Sequence, residues 1–212
     1  MSRNEQTLRE EICSLGRSMF DRRLTPGSSG NISARLDDGW LMTPTGSMLG
    51  ELEPEKLAKI APDGSHLSGD KPTKETFLHM AVYETRPQTE AVVHLHSSYA
   101  VALSVLEETD PEDALPPITA YYVMRIGKLP MVPYFPPGDK GLADAMRPVF
   151  TDHKACLLAN HGPVVADKSL RDAVGAMEEL EETAKLHLML RGIPVRTLTP
   201  QQVADLRERF PI

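Results

Sequence analysis

The chain has 212 residues, 41% of them hydrophobic and 25% charged, so it is long enough to bury a sizeable core, and with no linker-like segment a single domain over residues 1–212 is expected. Its formal net charge of −7 argues against nucleic-acid or membrane partners, while a local cationic pocket for an anionic substrate stays allowed. Two cysteines, Cys13 and Cys156, cannot build a disulfide framework, and the absence of an apolar leader or an 18-residue apolar run makes a soluble, cytoplasmic protein the expectation.

Residues 5–22 place Leu8, Ile12, Leu15, Met19 and Phe20 at helical spacing, which makes an amphipathic helix facing the core. Thr25-Pro-Gly-Ser-Ser-Gly-Asn-Ile-Ser then leads into a strand at 32–36, and Trp40 begins a second strand that ends in Thr43-Pro-Thr-Gly. Each turn offers backbone N–H groups beside hydroxyl or amide side chains, the makings of a phosphate cradle, although either alone is equally an ordinary turn. Residues 57–60 read as a strand end or a helical turn, followed by a tight turn at Pro62-Asp-Gly-Ser. Thr73 is the predicted N-cap of a helix running to about Thr85, which puts Glu75 in the first turn, where the helix dipole favours a carboxylate whatever its role. His79 reads as a packing or surface residue.

From Ala91 the pattern is a strand carrying His94 and His96. Residues i and i+2 of a strand face the same side roughly 7 Å apart, so both imidazoles can converge on one metal ion while Val93 and Leu95 face the opposite layer. His161 follows a buried strand and precedes Gly and Pro, which makes it either a third ligand held at the sheet edge or a residue that satisfies a turn. Three imidazoles leave a position open for substrate, whereas closed structural zinc sites usually use cysteine.

The remaining elements are a helix at 97–106, a Pro-rich connection at 111–117, a short strand from Met131, and a helix opening at Gly138 and ending near Phe150. A buried strand at 155–159, a turn at Asn160-His-Gly-Pro, a strand continuation at 164–166, and a Ser169-capped helix to Leu190 with glutamates on its exposed face come next. Thr199 and Pro200 start a short closing helix. Strands and helices are interleaved but the early strands pair like hairpins, so an α/β fold with a mixed, largely antiparallel sheet covered by helices is predicted.

Gly-Asn-Ile-Ser at 30–33, Thr-Pro-Thr-Gly at 43–46, Lys-Pro-Thr-Lys-Glu at 71–75, Val-His-Leu-His at 93–96 and Ala-Asn-His-Gly at 159–162 together resemble the ordered motifs of the class II aldolase and adducin family, over roughly residues 5–190. Within it, Ser-Gly-Asp-Lys-Pro-Thr-Lys-Glu, Val-Met-Arg-Ile-Gly, Pro-Pro-Gly-Asp-Lys and Met-Glu-Glu-Leu-Glu-Glu-Thr-Ala-Lys resemble the subgroup that decarboxylates 3-oxo-tetronate 4-phosphates. The resemblance implies a class II aldolase-like three-layer fold, one zinc ion per subunit on His94, His96 and His161, and Glu75 as catalytic acid/base. It also implies substrate-phosphate binding by Gly30, Asn31, Thr45 and Gly46. Thr73 and Lys74, counted with the phosphate-binding residues, stand where the family's sugar-phosphate aldolases carry two serines, and Tyr121, counted as catalytic, matches a tyrosine that serves a neighbouring subunit's site in a homotetramer.

The implied reaction is zinc-dependent decarboxylation of a phosphorylated sugar acid to dihydroxyacetone phosphate and carbon dioxide in sugar-acid catabolism. Lys74 and Arg125 are the two candidates for orienting the departing carboxylate. A fuculose-phosphate-like aldolase is the alternative reading. It is weakened because residues 192–212 contain no tyrosine to match that enzyme's C-terminal one. A sugar-phosphate dehydratase or epimerase would use the same zinc chemistry. An adducin-like scaffold would be expected to have lost the four groups that are all present here.

Overall fold

A computed structural model describes residues 4–211 of the chain. The first helix, α1 (Glu5–Asp21), begins where the Asn4 side chain accepts hydrogen bonds from the Gln6 and Thr7 backbone N–H groups. It buries Leu8, Ile12 and Met19 along one face, each such side chain contributing roughly 1.5–3 kcal/mol by leaving water. Strands β1 (Asn31–Leu36), β2 (Gly39–Met42), β3 (Ala58–Ile60) and β4 (His66–Ser68) follow as an antiparallel meander. Helix α2 (Thr76–Thr85) leads to β5 (Ala91–His94), then α3 (Ser98–Ser104), α4 (Ala120–Arg125), β6 (Met131–Val132) and α5 (Gly141–Asp152). The hairpin β7 (Ala155–Leu158) and β8 (Gly162–Asp167), and helices α6 (Leu170–Met189) and α7 (Pro200–Arg209), complete the order.

The eight strands form one sheet in the order β4-β3-β2-β1-β5-β8-β7-β6, in which only the β6–β7 pair is parallel. Alternation along the strands builds two cores. Ile32, Ala34, Leu36, Val93 and Val165 pack against α1, α3, α4 and α6, while Met42, Val92, Val164 and Ala166 pack against α2 and α5. The result is the three-layer α/β arrangement with a largely antiparallel sheet that the sequence pattern leads one to expect. Among the described residues no helix is long and apolar enough to cross a membrane.

Several boundaries differ from the sequence reading. Of residues 57–60, Ala58–Ile60 form strand β3, paired with β2, and Leu57 precedes it; β4 carries no hydrophobic alternation because all three of its residues are exposed. Helix α2 starts at Thr76 and not directly after Thr73, because the Thr73 hydroxyl accepts from the Glu75 N–H and the Thr73 carbonyl accepts from the Thr76 N–H and hydroxyl, a turn that precedes the helix. Glu75 therefore occupies the N-cap position, and its carboxylate caps nothing. Strand β5 ends at His94, so His96 lies just beyond it. On α6, Glu181 is buried and not solvated: its carboxylate accepts the Tyr99 and Ala100 N–H groups at 2.8 and 2.9 Å, capping the start of α3.

Candidate metal centre and surrounding site

Register brings distant parts of the chain to one point. Asn31 on β1 is paired with His94 on β5, and His94 in turn with Val164 on β8. The end of β5 thus lies between the start of β1 and the β7–β8 turn that carries His161. That turn is closed by Asn160, which takes a left-handed conformation at φ 56, and by the His161 N–H donating to the Leu158 carbonyl. Gly30, at φ 80, lets the chain enter β1 beside β5; a Cβ there would stand 2.9 Å from the His94 carbonyl oxygen.

The three imidazoles meet through one kind of atom. His94 Nε2 lies 3.2 Å from His96 Nε2 and 3.3 Å from His161 Nε2, and the last two are 3.0 Å apart. His94 Nδ1 is 2.9 Å from the Pro163 carbonyl, which can only accept, so the ring proton sits on Nδ1 and Nε2 presents a bare lone pair. Burial pushes His94 down to about 3, against the pull of the Glu75 charge, and burial followed by the His161 charge lowers His96 as well. Nitrogen ligands at metal-bond lengths of about 2.0–2.1 Å in tetrahedral geometry stand roughly 3.3 Å apart, close to the spacing found here. Three imidazole nitrogens turned toward one point, the His94 ring oriented by a carbonyl behind it, are a donor set that suits a divalent metal.

Glu75 completes the cluster. Its carboxylate oxygens lie 3.5 Å from His94 Nε2 and 3.3 Å from His161 Nε2, and the ligand atoms of all four residues fall within 4.8 Å of one another. The Asn31 amide donates to Glu75 Oε2 at 2.6 Å. Burial works against the charged form, but the hydrogen bond from His161, the proximity of His94 and the Asn31 amide outweigh it and hold Glu75 well below the usual carboxylate range. Glu75, His96 and His161 open into a cleft of about 780 Å³, also lined by Ser98, Tyr134, Phe135 and Asn160.

The loops singled out for phosphate lie side by side next to this cluster. The Thr73 N–H donates to the Thr43 carbonyl at 3.0 Å and the Thr45 N–H to the Lys71 carbonyl at 2.9 Å, so the segments holding Thr45 and Gly46 and those holding Thr73 and Lys74 form one rim, tied to Glu75 through Thr73. Because the Thr45 N–H is committed to Lys71, its hydroxyl is the group left to face an anion. Asn31 is turned the other way: its amide spans Glu75 and His79. Tyr121 stands apart, 60% exposed on α4, in a separate cleft of about 670 Å³ with Arg86, Arg125 and Lys154.

His79 is neither surface nor apolar filler. It is fully buried, 2.5 Å from Asn31 Oδ1 and 2.7 Å from the Ser33 hydroxyl, which is itself 2.9 Å from the Tyr83 hydroxyl. The signal lay in spacing that single-residue reading passes over. Glu75 at the N-cap and His79 and Tyr83 on α2 recur every four residues, and Asn31 and Ser33 are two apart on the facing side of β1.

Comparison with known proteins places this arrangement. Residues 10–188 match the model of the family described as Class II Aldolase and Adducin N-terminal domain. The chain is 51% identical over 204 residues to the 3-oxo-tetronate 4-phosphate decarboxylase of Escherichia coli strain K12, covering 96% of both. It is 32% identical over 214 residues to the L-fuculose phosphate aldolase of the same strain, covering 99% of this chain and 96% of the aldolase. The crystal structure of YgbL from Escherichia coli superposes with a TM-score of 0.94 at 50% identity, covering 96% of this chain and 99% of that one.

Proposed function

Because the chain belongs to the class II aldolase and adducin family, we propose that it decarboxylates a 3-oxo-tetronate 4-phosphate to dihydroxyacetone phosphate and carbon dioxide. The observation that carries this reading is the convergence of Glu75, His94, His96 and His161 within 4.8 Å, in a chain about half identical to a decarboxylase over nearly its whole length. His94, His96 and His161 would hold one zinc ion. When bound there, zinc supplies a Lewis acid that draws electron density toward the carbonyl oxygen of a β-keto acid.

The chain's own groups divide the remaining work. The C1–C2 bond breaks, its electron pair passes into the C2–C3 bond as carbon dioxide leaves, and C2 must then gain a proton. Glu75 rests as a carboxylate, takes up a proton from solvent water in each cycle, and delivers it to C2. Gly30, Thr45, Gly46, Thr73 and Lys74 form the rim that receives the phosphate, Lys74 supplying a positive charge. Asn31 is turned away from that rim and spends its amide on Glu75 and His79. Phe135 and Tyr134 wall the cleft into which Glu75 opens.

The protein acts as a single domain in the cytoplasm on a small phosphorylated sugar acid. In the proposed homotetramer, Tyr121 reaches the site of a neighbouring copy, consistent with its exposure and its place in a cleft apart from its own cluster. The aldolase reading draws on the 32% identical relative. Incubation of the purified protein with 4-phosphorylated 3-oxo-tetronates should yield equal amounts of carbon dioxide and dihydroxyacetone phosphate. Release of an aldehyde from a ketose or aldose phosphate, with no carbon dioxide from the sugar acid, would overturn the assignment in favour of the aldolase.

A further inference from the structure

We propose that His79 is a positioning residue for the reaction, which fixes the Asn31 amide so that its NH2 group, and not its oxygen, faces Glu75. The inference rests on the decarboxylase reading for its kinetic consequence, but its geometry stands independently.

Asn31 Nδ2 lies 2.6 Å from Glu75 Oε2, and since an amide NH2 group only donates, the carboxyl oxygen is the acceptor. Asn31 Oδ1 then points at His79 Nε2, 2.5 Å away, and since an amide oxygen only accepts, His79 must carry its proton on Nε2. His79 Nδ1 is left as an acceptor and takes the Ser33 hydroxyl proton at 2.7 Å, and the Ser33 oxygen takes the Tyr83 hydroxyl proton at 2.9 Å. Every hydrogen bond in the row therefore points the same way, from Tyr83 through Ser33, His79 and Asn31 to the Glu75 carboxylate. With the His79 proton on Nε2, reversing the Asn31 amide would set its oxygen against a carboxylate oxygen and its NH2 against an imidazole N–H, two repulsive contacts in place of two hydrogen bonds.

The surroundings make this orientation firm. Ser33 and His79 are fully buried, and Asn31 and Tyr83 nearly so, so no water competes for these groups. Burial lowers His79 to about 4, against a smaller opposing effect of the Glu75 charge, so the ring is neutral near pH 7 and a single tautomer is at stake. The row does not conduct protons, because a carboxamide would have to pass through an imidic acid to hand one on. Its effect is to hold the carboxylate at one place and orientation beside the three imidazoles.

Two measurements test this. The first uses the wild-type protein: the ring-nitrogen resonances of 15N-labelled His79 near pH 7 should show a protonated Nε2 and a hydrogen-bonded, unprotonated Nδ1. A proton on Nδ1 overturns the proposal, whatever the reaction proves to be. The second is kinetic. H79L removes the donor, and H79Q restores an N–H near the Nε2 position; kcat should fall by about 10- to 100-fold in H79L and recover at least in part in H79Q, with KM and bound metal little changed. A folded H79L protein with wild-type kcat, or with raised KM at unchanged kcat, overturns the positioning role. If the wild-type protein releases no carbon dioxide from any 3-oxo-tetronate 4-phosphate, the reaction assigned above fails, and the tautomer alone decides about His79.

Discussion

Asn31→Ala separates two roles that the sequence motif cannot tell apart. If the side chain served mainly to bind a remote phosphate, its loss would raise KM and spare kcat, since such contacts persist from ground state to transition state. The structure leads to the opposite expectation. Asn31 donates to the Glu75 carboxylate at 2.6 Å and accepts from His79 at 2.5 Å, so truncation deletes a hydrogen bond to a charged group inside the site. Such bonds contribute about 1.5–3 kcal/mol, which in a barrier corresponds to a kcat lower by roughly 10- to 150-fold. The same change leaves the His79 N–H without its acceptor at a buried position, which costs roughly another 1–3 kcal/mol of stability. Steady-state kinetics and urea unfolding on the same preparation read both effects. Wild-type kcat with a KM raised tenfold or more would refute the assignment of Asn31 to Glu75 and return it to the phosphate.

Other consequences follow from the same contacts. His161→Ala should lower bound metal, measured by elemental analysis of protein purified without chelator, and leave a folded protein, because the residue sits in a turn and not in a core; full metal occupancy would remove it from the ligand set. Glu181→Ala should shift the urea midpoint by the equivalent of about 2–4 kcal/mol, because two N–H groups at the start of α3 lose a buried charged acceptor; an unchanged midpoint would show that water replaces it. The folded-state pKa of His79 is depressed from 6.5 to about 4, so the unfolded chain binds the extra proton first, and the stability this group contributes is present above 6.5 and lost as pH falls toward 4. Between about pH 7 and pH 5 that loss should approach about 2 kcal/mol in wild type and be missing from the same comparison in H79Q, as urea unfolding at the two pH values would read.

The parts of this protein that were legible in its sequence are those in which the chain speaks locally. Leu8, Ile12 and Met19 at helical spacing, the Thr199-Pro200 start of α7 with its full capping box, and the alternation of β1 against two cores each follow from a few neighbouring residues. So does the nearness of His94 and His96, two residues apart where β5 ends, although His96 lies just past the strand. Local reading failed where a distant partner decided the outcome. The start of α2 moved because Thr73 bonds to Thr43 as well as to Glu75, and β4 is a strand only because β3 lies beside it. Glu181 looks like one more glutamate on a charged helix until the N–H groups of Tyr99 and Ala100, some eighty residues earlier, are seen to end on it.

The site shows why such information is invisible to motif reading even when every residue involved lies in or near a motif. Glu75 is recognisable by type, but its ionisation and direction are set by Asn31 from β1, by His94 from β5 and by His161 from the β7–β8 turn, three segments that meet because β1, β5 and β8 are neighbours in the sheet. The row behind it couples two periods at once, a repeat of four along α2 and of two along β1, and only a helix laid across that strand brings the repeats into contact. A mutation in the second repeat, at Ser33 or Tyr83, touches neither substrate nor metal, yet it removes a donor that fixes the tautomer of His79. Its effect on Glu75 should therefore diminish with each hydrogen bond of separation, from Asn31 through His79 to Tyr83, an ordering that kcat values for the three alanine variants would test directly.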